Sequence, residues 1–149
     1  MNEPVRKAAT GGRWHGVEVM PYKEDGGTHF RAISRQTLFN GDEGLPIEMR
    51  TFHIEEGGHS TLERHEHVHL VMVLEGGGHV LVKDRVHAIT ERDIVHIPAW
   101  TWHQFRANAG QPLVFLCLVA CERDRPTRPT EDDLAALRST PEVAEFIRV

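Results

Sequence analysis

Glu63, His65, His67 and His69 occupy alternate positions in one short stretch, directly ahead of the apolar run Leu70–Leu74. Residues two apart share a face of an extended strand, so these four side chains are expected to converge on one point. Imidazole and carboxylate donors without thiolate suit Mn(II), Fe(II), Co(II), Ni(II) or Zn(II), and an open coordination position leaves room for a substrate. Such an ion would bind the oxygens of a sugar-like ligand and stabilise an enolate. The bland alternative is a solvated histidine-rich turn, which suits one isolated His better than this cluster.

Cys121 is the other candidate for chemistry. It ends the apolar segment Leu113–Cys121 and precedes Glu122-Arg123-Asp124-Arg125, so water and guanidinium groups that favour a thiolate lie close. Cys117, inside the same segment, reads as a small buried hydrophobe. The two thiols, four apart in one strand, would stand about 13 Å apart, too far for a disulfide. Free thiols, together with the absence of an export signal in MNEPVRKAATGG, lead to the expectation of a reducing cytosol.

Composition narrows the class. The 149 residues fit one domain, and 40% apolar with 26% charged residues is ordinary for a globular protein. A formal net charge of −5 argues against a nucleic-acid surface, and no apolar run approaches the roughly 20 residues of a membrane span. The eleven histidines are the compositional excess, and metal binding would account for them.

The elements that must position these residues are short strands. Residues 1–46 read as an N-terminal arm with edge strands, one over Trp14–Tyr22 and one over His29–Phe39 that could pack on a second subunit. Residues 47–121 alternate in short strands parted by glycine-bearing turns, including expected turns at Glu55–Ser60 and Glu75–Gly78. Leu113–Cys121 should be central and buried. Residues 122–149 read as a linker and a C-terminal helix, with Thr130 as its cap, Asp133 at the third helical position and a break at Pro141. The fold class is all-β within one domain overall.

The stretch from Gly57 to Gly76 resembles the first motif of the cupin superfamily: glycine, five residues, H-x-H, three or four residues, E, six residues, glycine. Anchoring both glycines puts Glu63 and His65 at the two histidines and His69 at the glutamate. Glu91–Phe105 resembles the second motif, in which Pro98 and His103 fall in place. Arg92 and Trp100 stand where that motif has glycines, and Asn108 falls one place late. The resemblance covers about residues 47–121 and implies a small jelly-roll barrel holding a metal on Glu63, His65, His69 and His103. His67 forms a literal H-x-H with His65 and stays open, either as a ligand in place of Glu63 or as a substrate-binding residue.

WHGVEVMPYKEDGGTHF, LERHEHVHLVMVLEG, PAWTWHQF and PLVFLCLVACERDRP extend the likeness to bacterial manganese-dependent cupins that move a methylthio group from a sugar phosphate to a thiol. That likeness implies an enzyme with Mn(II) as cofactor, glutathione as co-substrate and a sugar phosphate as substrate, assembled as a homodimer. Cys121 or the external thiol would attack the methylthio sulfur, and Lys23, Arg31 or Arg50 would meet the phosphate. A cupin dioxygenase, a sugar-phosphate isomerase and a non-catalytic metal- or sugar-binding cupin are the competing readings.

Overall fold

The computed structural model describes residues 3–149. Its strands are β1 Met20–Pro21, β2 Arg31–Asn40, β3 Ile47–His59, β4 His69–Val82, β5 Arg85–Thr90, β6 Ile94–Ile97, β7 His103–Ala107 and β8 Leu113–Ala120; helices α1 Glu131–Arg138 and α2 Pro141–Phe146 follow. The barrel is built on two long strands. β4 pairs with β6 and β8 along its first half and with β5 and β7 along its second. β3 runs between β2 and β8 and pairs with β7 only at His59, opposite Arg106. All these ladders are antiparallel, and together they close a jelly-roll barrel.

Two expected turns are bends inside continuous strands. Glu55–Ser60 is almost wholly within β3, and Glu75–Gly78 lies within β4, where that strand passes from one set of partners to the other. Gly76 makes the second bend possible. Its φ is +73°, and a Cβ there would run into the carbonyl oxygen of Pro112. The sequence signal for a chain reversal was a signal for close backbone approach.

The expected Trp14–Tyr22 strand shrinks to Met20–Pro21, paired with β2. The reason is Gln36, buried on β2: its amide nitrogen donates to the carbonyls of Trp14 and Val17, and its oxygen accepts from the Trp14 N–H. A side chain thus satisfies backbone groups that a ladder would otherwise pair. The second arm strand forms as β2, bonded to β3 of the same chain.

Phe52, Phe105 and Phe115 stack through the barrel interior, with ring centroids 5.3 Å apart for Phe52–Phe115 and 4.4 Å for Phe105–Phe115. At the other end Leu134, Val143 and Phe146 of the helices cover Leu62 and Leu81. Thr130 and Asp133 form the capping box, and Pro141 opens α2 rather than breaking α1 from within. Gln104, buried on β7, donates to the carbonyls of Ser60 and Arg148 and accepts from the Arg148 N–H, so it bonds the C-terminus to the barrel.

Arg92 and Trp100 explain the glycines of the family motif. Their φ values are +72° and +56°, the left-handed region in which a side chain carries strain. Arg92→Gly is expected to stabilise the protein by roughly 0.5–1 kcal/mol, whereas Gly76→Ala should cost roughly 2 kcal/mol or more. Denaturant titration of both variants beside the parent checks the two signs.

Candidate metal centre and its cavity

His69 is the first residue of β4 and His103 the first of β7. His65 belongs to the irregular segment between β3 and β4. This segment is pinned where Glu63 and His103 exchange backbone hydrogen bonds of 3.2 and 3.0 Å, and where the Trp100 N–H donates to the His65 carbonyl at 2.7 Å. The convergence comes from a pinned loop and two strand ends, not from one face of a single strand.

The ligand nitrogens of His65, His69 and His103 lie within 4.8 Å of one another. His65 Nδ1 donates to the His67 carbonyl at 2.7 Å and His103 Nδ1 to the Thr101 carbonyl at 2.9 Å. These bonds assign the proton to Nδ1 and leave each Nε2 lone pair for the centre. Burial, then the neighbouring His103 and His67, pushes His65 down to about 4. Burial likewise lowers His69 and His103, so the three rings are neutral near pH 7 and fit to ligate.

A divalent ion fits this donor set. His65 Nε2 and His69 Nε2 stand 2.9 Å apart, a separation that one shared proton or one ion can bridge. Adjacent ligands of a six-coordinate ion, with bonds of about 2.1 Å at right angles, sit about 3 Å apart, so the rings already stand at ligand spacing.

Glu63 and His67 border the same cavity but stand outside the three-histidine convergence. The Glu63 carboxylate accepts from Lys23 Nζ at 2.7 Å. His67 stacks flat on His65, with ring centroids 3.6 Å apart, and its Nδ1 lies 2.8 Å from Asp124 Oδ1. Asp124 also accepts from the backbone N–H groups of Glu66 and His67, and these donors, Glu66 first, hold its carboxyl well below the usual range.

The cavity has a volume of about 180 Å³, a scale for a small molecule. The three stacked phenylalanines form its apolar wall, and Lys23, Arg50 and Arg123 bring positive charge to it. Arg31 is not among its lining residues.

The cysteines exchange their expected places. Cys121 does not line the cavity; its N–H donates to the Pro46 carbonyl, and its sulfur packs where a Cβ on Gly41 would fall. Cys117 does line it, with Sγ 2.9 Å from His69 Nδ1 and 3.6 Å from Arg50 Nη2. Burial raises the Cys117 thiol, against the pull of Arg50. Sequence reasoning passed over Cys117, Asp124 and the Lys23–Glu63 pair. Strand parity puts Phe115, Cys117 and Val119 on one face, but a segment apolar on both faces does not say which is internal.

The Cupin domain family matches residues 50–119. Over 146 residues the chain is 51% identical to the 1-methylthio-D-xylulose 5-phosphate methylsulfurylase of Rhodospirillum rubrum, spanning 98% of this chain and 93% of that protein. The chain belongs to the cupin family. A cupin 2 conserved barrel domain protein from Rhodopseudomonas palustris has a crystal structure 51% identical to this cupin, with a TM-score of 0.91 over 97% of this chain and 99% of the other. A sugar phosphate isomerase of the cupin superfamily from Silicibacter pomeroyi is 19% identical, with a TM-score of 0.63 over 79% of this chain and 95% of the other, a likeness of fold alone. No helix among the described residues is long and apolar enough to cross a membrane.

Replacing His103 or His69 by Ala is expected to weaken divalent-metal binding by roughly 100-fold or more while the barrel remains folded. Elemental analysis beside circular dichroism checks this, and full occupancy in either variant would remove that residue from the ligand set.

Proposed function

We propose that this cupin removes the methylthio group of 1-methylthio-xylulose 5-phosphate to a thiol, giving 1-deoxy-xylulose 5-phosphate in the salvage of methylthioadenosine. The observation that carries this reading is the 51% identity to the methylsulfurylase over nearly the whole chain. The proposed ion is Mn(II), held by His65, His69 and His103, with Glu63 as the fourth ligand once it leaves Lys23. Glutathione in a reducing cytosol is the proposed thiol.

When bound, the ion supplies Lewis-acid stabilisation for the negative charge that develops on the ketose as its carbon–sulfur bond breaks. The chain's own residues do the rest. A thiol sulfur attacks the methylthio sulfur, and the electron pair of the broken bond stays on the ketose as an enolate. His67, whose ring is oriented by Asp124, would bind the substrate and deliver a proton to carbon 1. Lys23, Arg50 and Arg123 offer the positive charge that a phosphate requires. The phenylalanine wall keeps bulk water from the enolate. The isomerase, dioxygenase and binding-only alternatives have no comparable support.

Protein purified without chelator should carry near-stoichiometric Mn and convert the methylthio-ketose only when glutathione is present. Metal without conversion would keep the cupin and discard the substrate.

We also infer a homodimer. Leu70 and Met72 on β4 and Ile94 on β6 present an exposed apolar stripe, continued by the half-buried Leu116 and Leu118 on the paired β8. A second copy of this chain would cover it. Light scattering should give twice the chain mass, and Ile94→Glu with Leu70→Glu should return the monomer.

A further inference from the structure

The proposed reaction has a second substrate, and the metal cavity leaves no room for a tripeptide beside the ketose. At about 180 Å³ that cavity suits the ketose phosphate alone, since sites for larger small molecules usually offer roughly 300–1,000 Å³. We propose that a neighbouring pocket between Arg128 and Glu131 binds the α-amino-acid end of the thiol co-substrate, a zwitterion with one carboxylate and one ammonium group. This rests on the reading that the cupin is a methylsulfurylase passing its methylthio group to a thiol such as glutathione.

Three observations carry it. The pocket, about 250 Å³, shares Thr61 with the metal cavity, so one buried side chain borders both spaces. His29, which lines the pocket, brings Nδ1 within 2.7 Å of Thr61 Oγ1, while the Thr61 N–H donates at 3.4 Å to the hydroxyl of Tyr22, which lines the metal cavity. Next, Arg128 is fixed close to the metal loop through its chain neighbour. Thr127 and Arg64 exchange backbone hydrogen bonds of 3.0 and 2.7 Å, one residue along from Glu63. Last, Arg128 and Glu131 are exposed members of a lining that also holds the buried Leu62 and Leu134, and among the described residues neither forms an ion pair. An amino-acid group offers each its complement, a carboxylate to Arg128 and an ammonium to Glu131. Burial, then Arg128 and Lys23, lowers His29, so its imidazole is neutral and Arg128 is the cation of the pocket.

A second groove also borders the metal cavity, at His67, Arg123 and Asp124. It suits the thiol less well. It runs beside Leu70 and Leu118, part of the apolar stripe that the second copy would cover, and Arg123 is already paired with Glu48. The Arg128–Glu131 pocket has neither commitment. An amino-acid end held there lets the rest of a peptide thiol extend past Thr61 toward the metal cavity. No step of the chemistry runs through the pocket, so Arg128 and Glu131 act as specificity-determining residues: they favour a thiol that carries an amino-acid group over one that does not.

Metal-loaded protein should be titrated calorimetrically with S-methylglutathione, which keeps the amino-acid end and has no free thiol. Saturable binding is expected in the parent protein, weakened roughly tenfold in Arg128→Gln and in Glu131→Gln. In turnover of 1-methylthio-xylulose 5-phosphate, the preference for glutathione over 2-mercaptoethanol, as a ratio of kcat/KM values, should fall by roughly the same factor in both variants. Equal affinity for S-methylglutathione in the parent and both variants would overturn the proposal. So would a loss that falls on KM for the ketose phosphate and not on KM for glutathione, since the pocket would then hold the phosphate. Turnover in the parent without binding of S-methylglutathione would also overturn it and leave the methylsulfurylase reading standing. No conversion of the ketose with either thiol would sink both.

Discussion

Three neutral imidazoles share a water-poor centre in this barrel, and much of the surrounding structure serves to hold them uncharged with their lone pairs together. Two neutral rings at 2.9 Å need something between their nitrogens, and the chain fixes them there through groups behind the rings. Backbone carbonyls of His67 and Thr101 hold the Nδ1 protons of His65 and His103, and the Glu63–His103 backbone bridge holds the loop itself. Without those bonds the rings could rotate or take up protons, and burial of a charged imidazole would oppose folding. The second-sphere bonds are therefore as much a part of the centre as the ring nitrogens.

Charge around the cavity is arranged in pairs that a substrate could reorganise. Lys23 is held by Glu63, His67 by Asp124, and Arg50 and Arg123 share Glu48. Glu63 and Glu48 offset cations in the resting protein, so the site buries few isolated charges. A phosphorylated, metal-binding ligand brings both an anion and oxygen donors, and can draw on the basic and acidic members separately. The cavity is thus prepared for a small anion without being strongly positive at rest.

Backbone strain has a place in the same design. Arg92 and Trp100 occupy left-handed positions that the family pattern fills with glycine. Trp100 is anchored by its N–H on the His65 carbonyl, so its strained turn and the irregular loop support each other. The stability lost at one residue is offset by the position it gives to His65.

Most of the site was legible in the chain itself. Spacing offered Glu63, His65, His67 and His69, the motif resemblance added His103, and of these His65, His69 and His103 converge; alternation with a capped C-terminal segment gave strands first and helix last. Those features are local, set by side-chain period and by short hydrogen bonds between near neighbours. What tertiary structure decided lay in contacts between distant segments. It made β4 one strand through the Gly76 bend, because Pro112 passes close to it. It let Gln36 replace a strand at Trp14, and it put Lys23 on Glu63 and Asp124 on His67. It also chose between two cysteines four residues apart. In a strand apolar on both faces, only the closed barrel determines which residues face the cavity and where the lining ends, and that places Cys117 at His69 and Cys121 beyond it.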